Sequence, residues 1–340
     1  MDKLLSRDDF RNGVFARDKH KCLMCDSPAR DAHHILERRL FPDGGYYLDN
    51  GASLCEEHHL EAEMTTLSCE EIREKAGIER IILPPHLYRD QRYDKWGNPF
   101  LENGQRLRGE LFDDPSVQKI LEQGNVLDQF TKYVKYPRTY HLPWSPGLTK
   151  DDRVLDDTSI FFDQEVVVTV KMDGENTTLY NDYIHARSVD SEYTAQWRTR
   201  IKQIWSEICW QIPDRWRICA ENLQGKHSIK YEDLPSFLMA FSIWDEQNFC
   251  LSWDDTKEYC AVLDLEMVPE LYRGIYDEDL IKSLYKDEKN CEGYVVRLAG
   301  KFHYKDFRKS CGKFVRKDHV ATSRHWKYEK IEFNELKSKS

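Results

Sequence analysis

Residues 165–170, EVVVTV, are rich in β-branched side chains, and the run ends on Lys171, Met172, Asp173 and Gly174. Such a run fits a buried strand, and Asp-Gly is turn chemistry, so the chain reverses just after it has placed an amine. A lysine at a buried strand end is costly, because low dielectric disfavours the ammonium form and lowers its pKa. A nucleophilic amine needs that shift. On these letters alone the simpler reading is a turn, with the lysine stem on apolar surface and its head in water.

Further strand-like runs follow: TTLYNDYIHARS, WRICAENL, FLMAFSIWD and CEGYVVRL, interrupted by a helical stretch, TAQWRTRIKQIWSEICWQI. Together they predict an α+β domain, mainly antiparallel, over residues 136–340. Residues 1–80 form a separate small unit closed by SCEEIREKAGI, where Ser68 and Glu71 form a capping-box pattern and Gly77 marks a helix end. Between them, residues 81–135 are rich in Pro, Gly and Asn with one helical pattern, DDPSVQKILEQG, and read as a connector packed on its neighbours.

The order of polar residues on these runs adds a second constraint. After Lys171 and Asp173 come Arg187 in HARS, Glu221 in CAENLQG, the aromatic strand of LMAFSIWD, Glu292 in CEGYVVR, and Lys313, Arg316 and Lys317 in GKFVRKDHV. This series resembles the covalent nucleotidyltransferase superfamily of polynucleotide ligases and capping enzymes, and most closely the nick-sealing ATP-dependent RNA ligases. The resemblance covers about residues 136–330, including HLPWSPG before the lysine and TSRHW after the last motif. It implies an antiparallel-sheet, ATP-grasp-like ligase domain in which Lys171 attacks the α-phosphate of ATP to give lysyl-AMP. The AMP then caps a 5′-phosphate, and a 3′-hydroxyl displaces it.

By the same resemblance Arg187, Lys313, Arg316 and Lys317 hold phosphates, Asp173, Glu221 and Glu292 hold Mg²⁺ or Mn²⁺, Glu221 also accepts a ribose hydroxyl, and Phe241 stacks on adenine, although plain core is an open reading for Phe241. KFVRK departs from relatives that place two lysines one residue apart here, so Lys313 is the firmer assignment. About twenty residues follow this motif, too few for an OB-fold domain, which favours the RNA ligase branch.

In the amino-terminal unit Cys22-x-x-Cys25 and Cys55-x-x-His58 form two knuckles whose four soft ligands suit tetrahedral zinc. The neighbouring polar residues resemble the HNH, or ββα-metal, nuclease motif over about residues 11–65, with a histidine where the second knuckle more often has cysteine. The resemblance implies that His34 is a general base, that His33 and His59 bind a divalent metal, and that Asn50 braces the loop carrying the base. Arg38 and Arg39 could approach a phosphate backbone, partly offset by Glu37. A zinc-held module of this kind can cut nucleic acid or only bind it.

Composition narrows the setting. No stretch approaches the ~20 apolar residues of a membrane span, the amino terminus lacks a secretory apolar region, and ten cysteines without an export signal read as metal ligands and free thiols. A soluble, cytoplasmic protein is expected. The net charge of −10 excludes coating of nucleic acid by bulk positive charge, yet residues 297–317 concentrate Arg297, Lys301, Lys305, Arg308, Lys309, Lys313, Arg316 and Lys317. The leading reading is an ATP-dependent polynucleotide ligase with zinc, Mg²⁺ or Mn²⁺ and a nucleic-acid partner, RNA or possibly DNA or hybrid in its strands. The alternative is an endonuclease coupled to a ligase; a binding-only pseudoenzyme leaves Lys171, Glu221, Glu292 and Lys313 without a reason. Strand chemistry, template requirement and oligomeric state are not fixed by the sequence.

Overall fold

The computed structural model describes residues 3–149, 152–189, 193–285, 291–317 and 332–338. It divides into two compact units, Met1–Val134 and Lys135–Ser340. The TSRHW stretch lies outside the described residues. No described helix is long and apolar enough to cross a membrane.

The first unit begins with α1 (Arg7–Arg17), whose Ser6 cap accepts a hydrogen bond from the Asp9 amide and whose Phe10 and Val14 are buried. An antiparallel pair follows, β1 (Asp31–His34) and β2 (Gly51–Leu54), and then α2 (Glu56–Glu63). The resulting order is strand, strand, helix. α3 (Cys69–Ala76) carries the full capping box between Ser68 and Glu71 and ends at Gly77 in the left-handed region, φ 64°. α4 (Pro115–Gln123) starts at Asp114 with proline in its first turn. Of residues 81–135, read as a connector, all but Lys135 fall inside this unit: Trp96 donates to the Glu63 carbonyl and Glu37 to the Lys95 carbonyl.

The second unit holds β3 (Tyr140–His141), β4 (Glu165–Lys171), β5 (Glu175–Leu179), β6 (Ile184–Ala186), α5 (Thr199–Ile208), β7 (Arg217–Asn222), β8 (Leu238–Trp244), β9 (Phe249–Cys250), α6 (Trp253–Val262), β10 (Glu270–Ile275), α7 (Glu278–Ser283), β11 (Gly293–Leu298), β12 (Phe302–His303) and β13 (Cys311–Val315). One sheet has the order β10-β4-β11-β13-β3, antiparallel except for the last pair; the other, β12-β9-β8-β7-β5-β6, is antiparallel throughout. β4 is buried on both faces: Val166 and Val168 pack with Ile281 of α7, Tyr294 and Val296, while Val167 joins Leu223, Met239 and Trp253. The Lys171–Gly174 turn carries the chain from one sheet to the other.

Two sequence expectations are refined. TTLYNDYIHARS is a hairpin, β5 and β6, closed across Asn181-Asp182 by the Tyr180 amide and Tyr183 carbonyl. The helical stretch is α-helical only over α5, with 3-10 turns at 196–198 and 209–211.

Candidate functional site

Strand register assembles the polar site of the second unit. Lys171 lies opposite Gly293 across β4 and β11, which puts Glu292 beside it, and Lys313 lies opposite Val295 across β11 and β13. Glu221, on β7, faces Asn176 of β5, just past the turn. Gly174 is required there, since a Cβ would run into the Asn222 carbonyl and the Leu223 side chain. Lys171 Nζ donates to Glu292 Oε2 at 2.5 Å, with the lysine side chain 25% exposed and the glutamate 7%.

Lys171, Glu221 and Lys313 border a cavity of about 510 Å³ that Arg187 and Phe241 also line; Glu292 reaches it through its pairing with Lys171 and is not itself a lining residue. Phe241 reaches it through a bulge: β7 pairs Cys219 with Ser242 and Ala220 with Ala240, leaving Phe241 as the extra residue, re-aimed out of the pleat. Tyr136 meets Phe241 edge-on, with ring centroids 5.2 Å apart.

Asp173 is buried, and its Oδ2 accepts from the Ser228 and Ile229 amides, both at 2.7 Å, while its own amide donates to Tyr231. It clasps the 227–231 loop to the turn. Arg316 and Lys317 do not line the cavity; the Arg316 amide donates to the Glu292 carbonyl and Lys317 is exposed.

The charges act on one another. Burial would lower the Lys171 pKa, but Glu292, Glu221 and Asp173 together outweigh it, so the amine sits above its ordinary value. This reverses the expectation from burial alone. Burial raises Glu221 to about 8, and burial with the neighbouring Lys171 draws Lys313 down to about 8. Sequence reasoning missed Asp152, which joins His141 (3.4 Å), in the HLPWSPG stretch, to Lys313 (3.7 Å). The basic run at 297–317 does not form one face. Arg297 and Lys313 turn into the cavity and Lys301 pairs with Asp245 at 2.7 Å.

Residues 164–315 match the family model for RNA ligase. The matched segment contains Lys171, Glu221, Phe241, Glu292 and Lys313. No curated protein matches the sequence. Among solved structures, a mutant of Naegleria gruberi RNA ligase with ATP and manganese is 17% identical at TM-score 0.34, covering 47% of this chain and 52% of that one. An archaeal ATP-dependent RNA ligase is 15% identical at TM-score 0.37, covering 54% and 48%. The chain spans about half the length of these structures. At such scores the functional reading rests on the family match and on the residues.

The first unit brings together two further groups. Cys25 Sγ lies 3.8 Å from Cys55 Sγ, and His58 Nδ1 lies 3.1 Å from Cys55 Sγ and 3.7 Å from Cys22 Sγ. Tetrahedral zinc with ordinary bond lengths separates two sulfurs by roughly 3.8 Å and sulfur from nitrogen by roughly 3.5 Å. The four residues fit that ion. Hydrogen bonding from Ser27 draws the Cys25 thiol down to about 7, toward the thiolate a metal takes.

The second group is His33, His59 and Glu63, whose ligand atoms lie within 4.8 Å of one another. Glu63 Oε1 is 3.5 Å from His33 Nδ1 and 3.4 Å from His59 Nε2, and Asp31 stands 3.7 Å from His59 Nδ1. Neither ring nitrogen of His33, 2% exposed, makes a hydrogen bond. Glu63 went unnoticed in the sequence, although it falls one helical turn after His59. These spacings suit a divalent ion, but the same Glu63 oxygen already accepts from Lys95 Nζ at 2.9 Å. His34 stacks on Phe10 at 4.5 Å, and burial followed by Lys95 lowers its pKa to about 4. Asn50, 1% exposed, pins Leu36 from both sides, accepting from its amide and donating to its carbonyl. Arg39 is engaged by Asp114 and Glu37 at 2.8 and 3.2 Å.

Proposed function

We propose that the protein is an ATP-dependent polynucleotide ligase, acting on RNA ends or nicks, whose zinc-bearing first unit binds nucleic acid. The observation that supports it most is the placement of Lys171, paired with Glu292, on a cavity that Glu221, Arg187, Lys313 and Phe241 also line, inside the segment matching RNA ligase.

In the reaction the Lys171 nitrogen bonds to the α-phosphorus of ATP as the bond to the bridging oxygen breaks; pyrophosphate leaves and the amine loses a proton. A 5′-phosphate oxygen then bonds to that phosphorus as the lysine N–P bond breaks, and a 3′-hydroxyl attacks the phosphorus of the strand's own 5′-phosphate and expels AMP. Each step is phosphoryl transfer, so the residues chiefly position groups and neutralise charge. Lys313 and Arg187 face the phosphates and Phe241 offers its ring to the base. Mg²⁺ or Mn²⁺, held by Glu221 and Glu292, would neutralise the polyphosphate and relieve the carboxylate field that keeps Lys171 protonated.

A second reading, in which the first unit also cuts, is favoured by the His33, His59 and Glu63 spacing and by the buried His34 Nε2, which has no hydrogen-bond partner. One gel separates the two. An end-labelled duplex with a 5′-phosphate nick, made in RNA, DNA and mixed strands, is incubated with protein, ATP and Mg²⁺ beside Lys171→Ala and His34→Ala. Longer strands lost only in the Lys171 variant are expected; their absence in the unaltered protein on every duplex would sink the ligase assignment. Shorter strands lost only in the His34 variant would establish cutting.

A further inference from the structure

We infer that Lys95 takes the place of a divalent ion at the His33, His59 and Glu63 centre, so that this centre in the native protein holds no metal and serves as a fixed support for nucleic-acid binding. The inference rests on the binding role proposed for the first unit and accounts for binding without cutting.

The centre has one carboxylate, and its Oε1, nearest to both histidines, is the atom that accepts from Lys95 at 2.9 Å. The same ammonium donates to the His34 carbonyl at 3.1 Å and lies 3.5 Å from Glu37 Oε2. Its three donors thus have three oxygen neighbours, with the side chain 4% exposed. A dication bound to that oxygen would sit within a few ångströms of a fixed positive charge, where repulsion is strong at any protein dielectric.

A surface lysine would swing away; this one is held. Residues 94–98 form a turn knotted by Asp94, whose carboxylate accepts from the Trp96 amide at 2.9 Å and from the amide and side chain of Asn98. Arg106 closes the knot at 3.2 Å, and Asp94, Asn98 and Arg106 are each under 5% exposed. Trp96 then ties the turn to the Glu63 carbonyl at 2.9 Å, and the Lys95 carbonyl accepts from the Glu37 amide at 2.9 Å. Withdrawing the ammonium would break this buried network and leave Glu63 and Glu37 without their counter-charge.

The ligating atoms are otherwise suitable, so removal of the charge should create a metal site. The test is Mn²⁺ titration of the zinc-loaded full chain without ATP, followed by electron paramagnetic resonance. Nitrogen modulation identifies histidine-bound Mn²⁺, and because His227 lines the second unit's cavity, only coupling that His59→Ala removes is assigned to this centre. The native protein is expected to show none. Lys95→Gln, which keeps amide donors without the charge, and Lys95→Met should bind Mn²⁺ with nitrogen coupling at least a hundredfold more tightly, and adding His59→Ala should abolish the coupling.

Retained zinc at one per chain reports that each variant folds. Nitrogen-coupled Mn²⁺ in the native chain that His59→Ala removes would overturn the inference, and so would failure of both folded Lys95 variants to bind it. Binding of a nicked RNA duplex by the native chain, measured separately, tests the underlying role: its loss would remove the binding proposal without touching the metal result.

Discussion

Two lysine–glutamate pairs, Lys171–Glu292 at 2.5 Å and Lys95–Glu63 at 2.9 Å, use the same chemistry in opposite surroundings. Lys171 ends a strand, is 25% exposed and opens onto a cavity of about 510 Å³; Lys95 sits in a knotted turn, is 4% exposed and has three oxygens around it. The first pair has room for a reacting group and the second has none. An ion pair alone therefore says little about reactivity. What distinguishes a nucleophile from a fixed counter-charge is free volume beside the nitrogen and further charge that can be relieved by a ligand.

The sharpest way to break this contrast is Lys171→Arg. It keeps the charge beside Glu292 but removes the primary amine, so labelling by α-labelled ATP should fall by at least ~10⁴-fold while the melting temperature moves little. Label retained on the variant would move the nucleophile elsewhere. Chelation of zinc comes next: if the proposed ion joins Cys22, Cys25, Cys55 and His58, the first unit should lose several kcal/mol of stability when it is removed. ATP labelling of Lys171 should survive it, and concurrent loss of label would show that the units do not act separately. Lys313→Met should slow lysine adenylylation by about 10²-fold with little change in stability, as expected for one positioned charge on a transferring phosphoryl group. An unchanged rate would return that role to Arg316 or Lys317.

Much of the second unit's polar site was legible because its residues sit at ends or turns of strands with strong local signals. β4 announces itself in EVVVTV, and Lys171, Glu221 and Glu292 each break an apolar run. The clustering of Cys22, Cys25, Cys55 and His58 was legible from paired knuckles, and α3 from Ser68 and Glu71. Lys95 and Asp152 were not, since each acquires meaning only from residues far along the chain: Glu63 and His34 in one case, His141 and Lys313 in the other. The sign of the Lys171 shift was hidden for the same reason. Burial is a property of one strand, whereas the field that reverses it comes chiefly from Glu292 and Glu221, far along the chain, with Asp173 of the same turn adding to it.

A third buried base sharpens the comparison by having no carboxylate at all. His185 on β6 is 0% exposed, with Nδ1 2.5 Å from the Ala186 carbonyl, and burial draws its pKa to about 4. Its folded pKa lies below the unfolded value of about 6.5, so the unfolded chain binds more protons between those limits. The neutral ring's contribution is therefore complete above pH 6.5 and is lost as the pH falls toward 4, amounting to roughly 3 kcal/mol. His185→Gln has no proton to take up over this range. Urea denaturation of the second unit at pH 7 and pH 4.5 should show a smaller acid loss in the variant than in the native protein. Equal losses would mean that the ring is solvated or paired, and that burial without a carboxylate does not depress a base here. That result would weaken the argument that the carboxylates are what keep Lys171 protonated.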